Sequence, residues 1–311
     1  MPQVIFIMDD LARINPVKDT TFALMLEAQR RALSIWYANE ADLEMDQGQC
    51  FVRMRRVEVR DQTIDWFSEI DTDYRALGSG DVVFMRSDPP VDDSYLYSTL
   101  LLEIAEQSGA VVVNRPASLR RFNEKLAISY FPDWMPRTCV SASMSRLREF
   151  IHTEQKAVLK PLDGMGGRGI FLASADDPNL SVMIETLTDE GRQLALVQQF
   201  LPEIEYGDNR VLLINGQFVP YVLARIPGGS DFRGNLARGG RGEGRPINAA
   251  ERRIAEAVGP VLIKHGIALA GLDVIGDRLT EVNVTSPTCV RELDAQFDLN
   301  IAGELFDGLD L

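Results

Sequence analysis

Through the first third of the chain, short apolar strands alternate with helical stretches, and that rhythm restricts the fold more than any other feature. VIFIM (4–8) precedes a helix near 20–33, DVVFM (81–85) precedes a helix near 95–108, and AVVVN (110–114) closes the run. Strands separated by helices pair in parallel, because the crossover returns the chain to the same end of the sheet. The expectation is an α/β chain whose amino-terminal layer is doubly wound. The turn after the first strand reads DDLARINP and lacks G-x-G-x-x-G, so a dinucleotide fingerprint is missing and hydride transfer ranks low.

After Pro116 a second module is expected, with a helix around 123–131, a strand KAVLK (156–160), the loop PLDGMGGRG (161–169), strand IFLA, a helix near 182–188 and the strand LALVQQF (194–200). A hairpin turning at Asn215 and Gly216 follows. Residues 227–246 are rich in glycine and arginine and show no periodicity, which reads as a mobile lid. A helix near 249–265 leads into the last hairpin.

With 311 residues, 45% of them hydrophobic, the chain can bury two or three lobes. No run approaches the roughly 20 apolar residues that cross a bilayer, and the start carries acids where a secretory signal has a basic region, so the cytoplasm is expected. Cys50, Cys139 and Cys289 are odd in number and widely spaced, giving neither a disulfide framework nor a zinc pattern. A net charge of -14 argues against nucleic acid and anionic membrane as partners. His152 and His265 each fall near the end of a helical pattern, which points to helix-end or surface roles.

The segment DVIGDRLTEVNVTSPTCVR (273–291) reads as a tight hairpin turning at Gly276 and Asp277. Glu281 and Asn283, two residues apart on a strand, share a face, with Asp273 on the partner strand within reach. Three hard oxygen ligands suit Mg²⁺ completed by substrate phosphates. A solvated turn edge is the plainer account of the same acids, but Val274, Ile275, Leu279 and Val282 would pack these strands into a core, where a carboxylate needs a counter-ion. Lys160 ends a strand and runs into Gly164, Gly166, Gly167 and Gly169, a backbone able to approach an anion closely; a plain turn is the alternative. The lysine precedes the loop and no Ser or Thr follows it, so P-loop mechanics do not apply. Gln199, Phe200 and Leu201 suit either a hinge reading an adenine edge or a core strand. Arg210 and Arg225, near Asp208, suit a clamp on phosphate or carboxylate oxygens, with exposed ion pairs as the competing account. Cys289 reads as a packing cysteine before a thiol switch.

NEKL (123–126), LKPLDGMGGRGIF, GDNRVLLINGQFVPYVLARIP, RGNLARGGRG and GLDVIGDRLTEVNVTSPTCVRE together resemble the bacterial, prokaryotic-type glutathione synthetase family of the ATP-grasp superfamily. FALMLEAQRR and MRSDPP extend the similarity into the amino-terminal third, and TSPTCVRE is more specific than any single glycine loop. The resemblance implies an amino-terminal doubly wound α/β domain of pre-ATP-grasp type at 1–121. It further implies a two-lobed ATP-grasp domain, with a central lid lobe at 122–201 and a carboxy-terminal lobe at 202–311 that carries the metal site and a mobile loop at 226–241. The implied activity is glutathione synthase: ligation of γ-L-glutamyl-L-cysteine to glycine through an acyl phosphate, with release of ADP and phosphate. Two Mg²⁺ ions, or Mn²⁺ in their place, would accompany ATP, and the family assembly is a homotetramer.

Carried over by position, the resemblance makes Lys125 and Lys160 phosphate ligands, the 164–169 loop a phosphate-covering flap, Gln199, Phe200 and Leu201 the adenine hinge, and Asp208 a ribose contact. Asp273, Glu281 and Asn283 become the metal ligands. Arg210 would face the transferring phosphoryl group, while Arg225, Asn235, Ser286, Thr288 and Arg291 fall where peptide and intermediate are expected. Two rival readings are another ATP-grasp carboxylate–amine ligase and a non-catalytic ATP-binding regulatory module of the same fold.

Overall fold

The computed structural model describes residues 3–228, 233–234 and 239–311. In the amino-terminal part the order is β1 (Gln3–Ile7), α1 (Thr20–Arg30), β2 (Ser34–Ala38), β3 (Leu43–Asp46), β4 (Gln49–Val59), β5 (Phe67–Ala76), β6 (Asp81–Met85), α2 (Asp93–Gln107), β7 (Val111–Val113) and α3 (Pro116–Arg121). β1 pairs in parallel with β2 and β6, and β6 with β7. Aspartates start both long helices: Asp19 accepts from the Phe22 N–H at 2.7 Å and Asp92 from the Tyr95 N–H at 3.0 Å. Val4, Phe6, Val82 and Phe84 bury one sheet face with α1 residues, and Ile5, Ile7, Val83 and Met85 bury the other with α2 residues. Helices on opposite faces make the sheet doubly wound. Its switch point lies between β1 and β6, and their carboxyl ends open a crevice there.

The parallel expectation is incomplete. β4 pairs antiparallel with β2, β3 and β5, which extends the sheet to seven strands. Cys50, Val52 and Met54 alternate inward along β4, and Gln47 and Gly48, both at positive φ, form the two-residue turn from β3.

The middle lobe carries β8 (Thr138–Ser141), α4 (Met144–Glu154), β9 (Lys156–Pro161), β10 (Phe171–Ser174), α5 (Leu180–Thr188) and β11 (Ala195–Gln199), in the antiparallel order β10-β9-β11-β8. Leu147, Ile151, Leu159, Ile184 and Val197 give it a core of its own. The helix expected around 123–131 is instead a turn followed by a short 3-10 segment, Ala127–Tyr130. The Asn123 side chain accepts from the Lys125 and Leu126 N–H groups, both at 3.1 Å, a local bond that competes with helix formation.

The last part runs β12 (Asp208–Ile214), β13 (Gln217–Ile226), β14 (Arg241–Pro246), α6 (Ala249–Lys264), β15 (Leu269–Ile275), β16 (Arg278–Asn283), α7 (Val290–Phe297) and α8 (Ile301–Asp307), with sheet order β14-β13-β12-β15-β16. Asn215 and Gly216 make the expected turn. The 227–246 stretch is not wholly a loop, since Arg241–Pro246 pairs antiparallel with β13. Gly244 explains why no side-chain pattern announces that strand: a Cβ there would stand 2.4 Å from the Phe297 ring. Residues 229–232 and 235–238 lie outside the described residues.

This sheet shares its cores with the amino-terminal one, as where Phe84 stacks on Phe306 at 5.6 Å. All three cysteines are free, His152 lies in the last turn of α4, and His265 caps α6. Among the described residues no helix is long and apolar enough to cross a membrane.

Candidate active site

The β15–β16 hairpin sets Asp273 directly opposite Glu281, and Gly271 opposite Asn283. The three oxygen-bearing side chains therefore share one sheet face. Asp273 is 4% exposed, so the solvated turn edge is excluded. The Asn283 amide nitrogen donates to the Gly271 carbonyl at 3.2 Å, which leaves Oδ1 as the acceptor for a cation.

Across the same sheet runs a ladder of alternating charge. Register pairs Asp208 with Arg225 and Arg210 with Asp273. Arg225 Nη2 lies 2.5 Å from Asp208 Oδ2 and 2.9 Å from Asp273 Oδ2, and Arg210 Nε donates to Asp273 Oδ1 at 2.7 Å. These are buried pairs, not exposed ones, with Arg210 at 5% and Arg225 at 4% exposure. Burial alone would raise the Asp273 carboxyl, but the two guanidiniums hold it well below the usual carboxylate range. Asp208 moves the other way: burial pushes it up, and the Asp273 charge adds to that despite Arg225.

From the middle lobe, Lys160 Nζ donates to Gln198 Oε1 at 3.1 Å and lies 3.4 Å from Glu281 Oε1, which brings the strand-end lysine to the hairpin. Lys125 Nζ donates to the Gly164 carbonyl at 2.5 Å. In that loop Gly166 and Gly167 take φ of 59° and 74°, conformations that glycine allows without strain. Arg233 Nη1 donates to the Gly167 carbonyl at 2.6 Å, joining the 226–241 stretch to the flap.

Between the two sheets lies a slot walled by Val158, Ile170, Phe200, Leu201, Ile204 and Ile275, with Lys160 and Asp208 among its polar groups. The Lys156 ammonium sits 4.1 Å from the centre of the Phe200 ring. The Gln199 N–H donates to the Arg137 carbonyl and the Phe200 N–H to the Lys156 carbonyl. Leu201 follows on the same slot wall.

The remaining candidates are dispersed. The Thr288 carbonyl lies 3.5 Å from Arg210 Nη1, and Ser286 neighbours the Asp88 carboxylate of the amino-terminal domain, which it helps to hold down against the upward push of burial. Arg291 is set apart from the ladder: it donates to the Val17 carbonyl at 3.2 Å and to Asp61 at 2.7 Å. Asn235 lies outside the described residues.

Three residues at the site escaped the sequence reading. Arg86, 4% exposed at the end of β6, donates to the Thr285 and Pro287 carbonyls at 3.4 and 3.1 Å. Glu124 accepts from the Val284 N–H, the Thr285 N–H and Thr285 Oγ1 at 3.0, 3.1 and 2.8 Å. Gln198 seats Lys160. A charge immediately after the buried DVVFM strand was the available signal for Arg86, whereas nothing local marks Glu124.

The sequence matches the family described as prokaryotic glutathione synthetase, N-terminal domain, over residues 3–120 and that described as prokaryotic glutathione synthetase, ATP-grasp domain, over residues 124–298. A glutathione synthetase of Xanthomonas campestris pv. campestris is 52% identical over 307 residues, covering 99% of this chain and 97% of that protein. One of Coxiella burnetii is 48% identical over 304 residues, covering 98% and 95%. Among solved structures, the D-cycloserine synthetase DcsG superposes with a TM-score of 0.69 at 13% identity, covering 98% of this chain and 99% of that one. The ATP-grasp ligase PsnB, complexed with precursor peptide PsnA2 and AMPPNP, superposes with a TM-score of 0.62 at 17% identity, covering 99% and 97%. These structural likenesses establish the ATP-grasp fold, and the sequence matches establish more: the chain belongs to the prokaryotic glutathione synthetase family.

Proposed function

We propose that the chain is an ATP-dependent ligase that joins γ-glutamylcysteine to glycine, forming glutathione and releasing ADP and phosphate. The observation that carries this reading is the buried Asp208–Arg225–Asp273–Arg210 ladder beside the Lys160–Glu281 pair, with Asp208 and Lys160 also lining the apolar slot. Full-length identity of 52% to a glutathione synthetase supports the choice of substrates.

A carboxylate resists attack by an amine until it carries a leaving group, which ATP supplies by phosphorylating the cysteinyl carboxylate. Lys125, Lys160 and Arg210 would neutralise charge on the moving phosphoryl oxygens. Asp273, Glu281 and Asn283 would hold Mg²⁺, and Mn²⁺ fits the same oxygens. The β15–β16 register puts two carboxylates and an amide on one face, a donor set that Mg²⁺ would complete with phosphate and water. When bound, the ion supplies charge neutralisation and Lewis acidity at the phosphates. The glycine amine then attacks the acyl carbon, phosphate leaves, and Arg225 steadies the oxyanion.

The Phe200 and Leu201 wall would hold adenine, with Asp208 toward the ribose. Ser286 and Thr288 would line the peptide site, with Arg291 fixing α7 behind it. The Arg233 bridge to the flap would exclude water from the acyl phosphate.

The test is ADP release with γ-glutamylcysteine plus glycine, compared with glycine omitted or replaced by D-alanine or glutamate. Turnover that requires glycine is the expected result. ADP release indifferent to the amine would move the chain to another ligase class, and ATP binding without ADP release under any mixture would mark a non-catalytic module.

A further inference from the structure

Gly271 sits in the middle of β15, paired with Leu212 on one side and Asn283 on the other. A glycine inside a strand weakens it and calls for a reason, such as close approach of another group. Its φ is not among the positive ones, so backbone freedom is not that reason. What occupies the space is Arg210. A Cβ added at Gly271 would stand 2.7 Å from Arg210 Cδ, 3.0 Å from Nη1 and 3.1 Å from Nε.

Such a clash is cheap only when the side chain can swing away, and this one is held. Its Nε donates to Asp273 at 2.7 Å and its Nη1 reaches the Thr288 carbonyl at 3.5 Å. Arg225 fills the other side of Asp273 at 2.9 Å. The Gly271 carbonyl meanwhile accepts the Asn283 amide at 3.2 Å, so the same residue touches both a proposed metal ligand and the proposed phosphoryl-facing arginine.

We propose that Gly271 is a positioning residue for the ligase reaction: its bare Cα is the floor on which the Arg210 side chain lies flat between Asp273 and Thr288, and any side chain there displaces the guanidinium from the transferring phosphoryl group. The inference rests on the role given to Arg210 above. A methyl at 271 lifts the arginine while leaving the adenine slot, Lys125 and Lys160 in place. The cost therefore falls on the chemical step and not on ATP binding.

The experiment compares Gly271→Ala, Arg210→Ala, the double variant and wild type by kcat, KM for ATP and thermal unfolding. Gly271→Ala is expected to lower kcat about 100-fold, the scale of a displacement near 1 Å at a reacting centre, with KM for ATP within about threefold of wild type. In the Arg210→Ala background the same change should cost no further kcat and no further stability, because the atoms it would meet are gone. Folding of the double variant where Gly271→Ala alone fails to fold would equally support the floor, and failure of both to fold would overturn it. A Gly271→Ala enzyme with wild-type kcat, or one that loses as much in the Arg210→Ala background as in wild type, overturns the floor while leaving the role of Arg210 standing. An Arg210→Ala enzyme with wild-type kcat overturns both.

Discussion

Asp273→Asn is expected to cost about 3–5 kcal/mol of stability and to lower turnover by at least about 100-fold. The reason is the charge count around one buried carboxylate. Asp273 is bonded by Arg210 at 2.7 Å and by Arg225 at 2.9 Å, and all three side chains are 5–6% exposed. An amide of the same shape accepts at one atom instead of two and carries no charge, so the cluster gains a net positive charge with no water to dissipate it. The acid limb of stability should change too. The Asp273 carboxyl titrates lower in the folded chain than its ordinary value, so its contribution is complete above about pH 4 and fades as acid approaches the depressed folded value. The variant should lack that segment of the pH profile. Urea unfolding at pH 7 and across the acid range measures both effects, and wild-type stability in the variant would contradict the ladder's energetic role.

Glu281→Ala should separate what Asp273→Asn combines. The Glu281 carboxylate is 17% exposed and its one ion pair among the described residues, to Lys160, is long at 3.4 Å. Lys160 keeps its bond to Gln198 at 3.1 Å when Glu281 is lost, and the loss also relieves repulsion with the buried Glu124, so stability should fall by less than the roughly 3–5 kcal/mol of breaking a close buried pair. Turnover should nonetheless fall about 1000-fold, equivalent to about 4 kcal/mol in the barrier, because a hard oxygen at the centre of the proposed cation site is gone. Steady-state ADP release paired with the unfolding midpoint decides this. Retained turnover would remove Glu281 from the metal site, and a large loss of stability would make its role structural.

The shared face of Asp273, Glu281 and Asn283 was legible in the sequence because strand period alone places Glu281 beside Asn283, and the Gly276–Asp277 turn brings Asp273 back to them. The charge ladder was not legible. Arg210 and Asp273 are 63 residues apart, and only the register of β12 against β15 makes them neighbours. That register goes with burying Val211 and Leu272 in one core and Leu212 in the other, a long-range choice that no local window contains. Glu124 reads as an ordinary surface acid until the 284–285 backbone is seen to donate to it. In the fold, β1 and β6 announced themselves as apolar runs buried on both faces. β4 hid its inward Cys50, Val52 and Met54 among Phe51, Arg53 and Arg55, and β14 hid behind glycines, of which Gly244 leaves no room for a Cβ against Phe297.

The ladder and the lysines are proposed to serve phosphoryl transfer from ATP to the cysteinyl carboxylate. Turnover of γ-glutamylcysteine labelled with ¹⁸O in that carboxylate, followed by mass analysis of the released phosphate, tests it most directly. Each glutathione formed is expected to leave one ¹⁸O in the inorganic phosphate. Glutathione formed with unlabelled phosphate would contradict it.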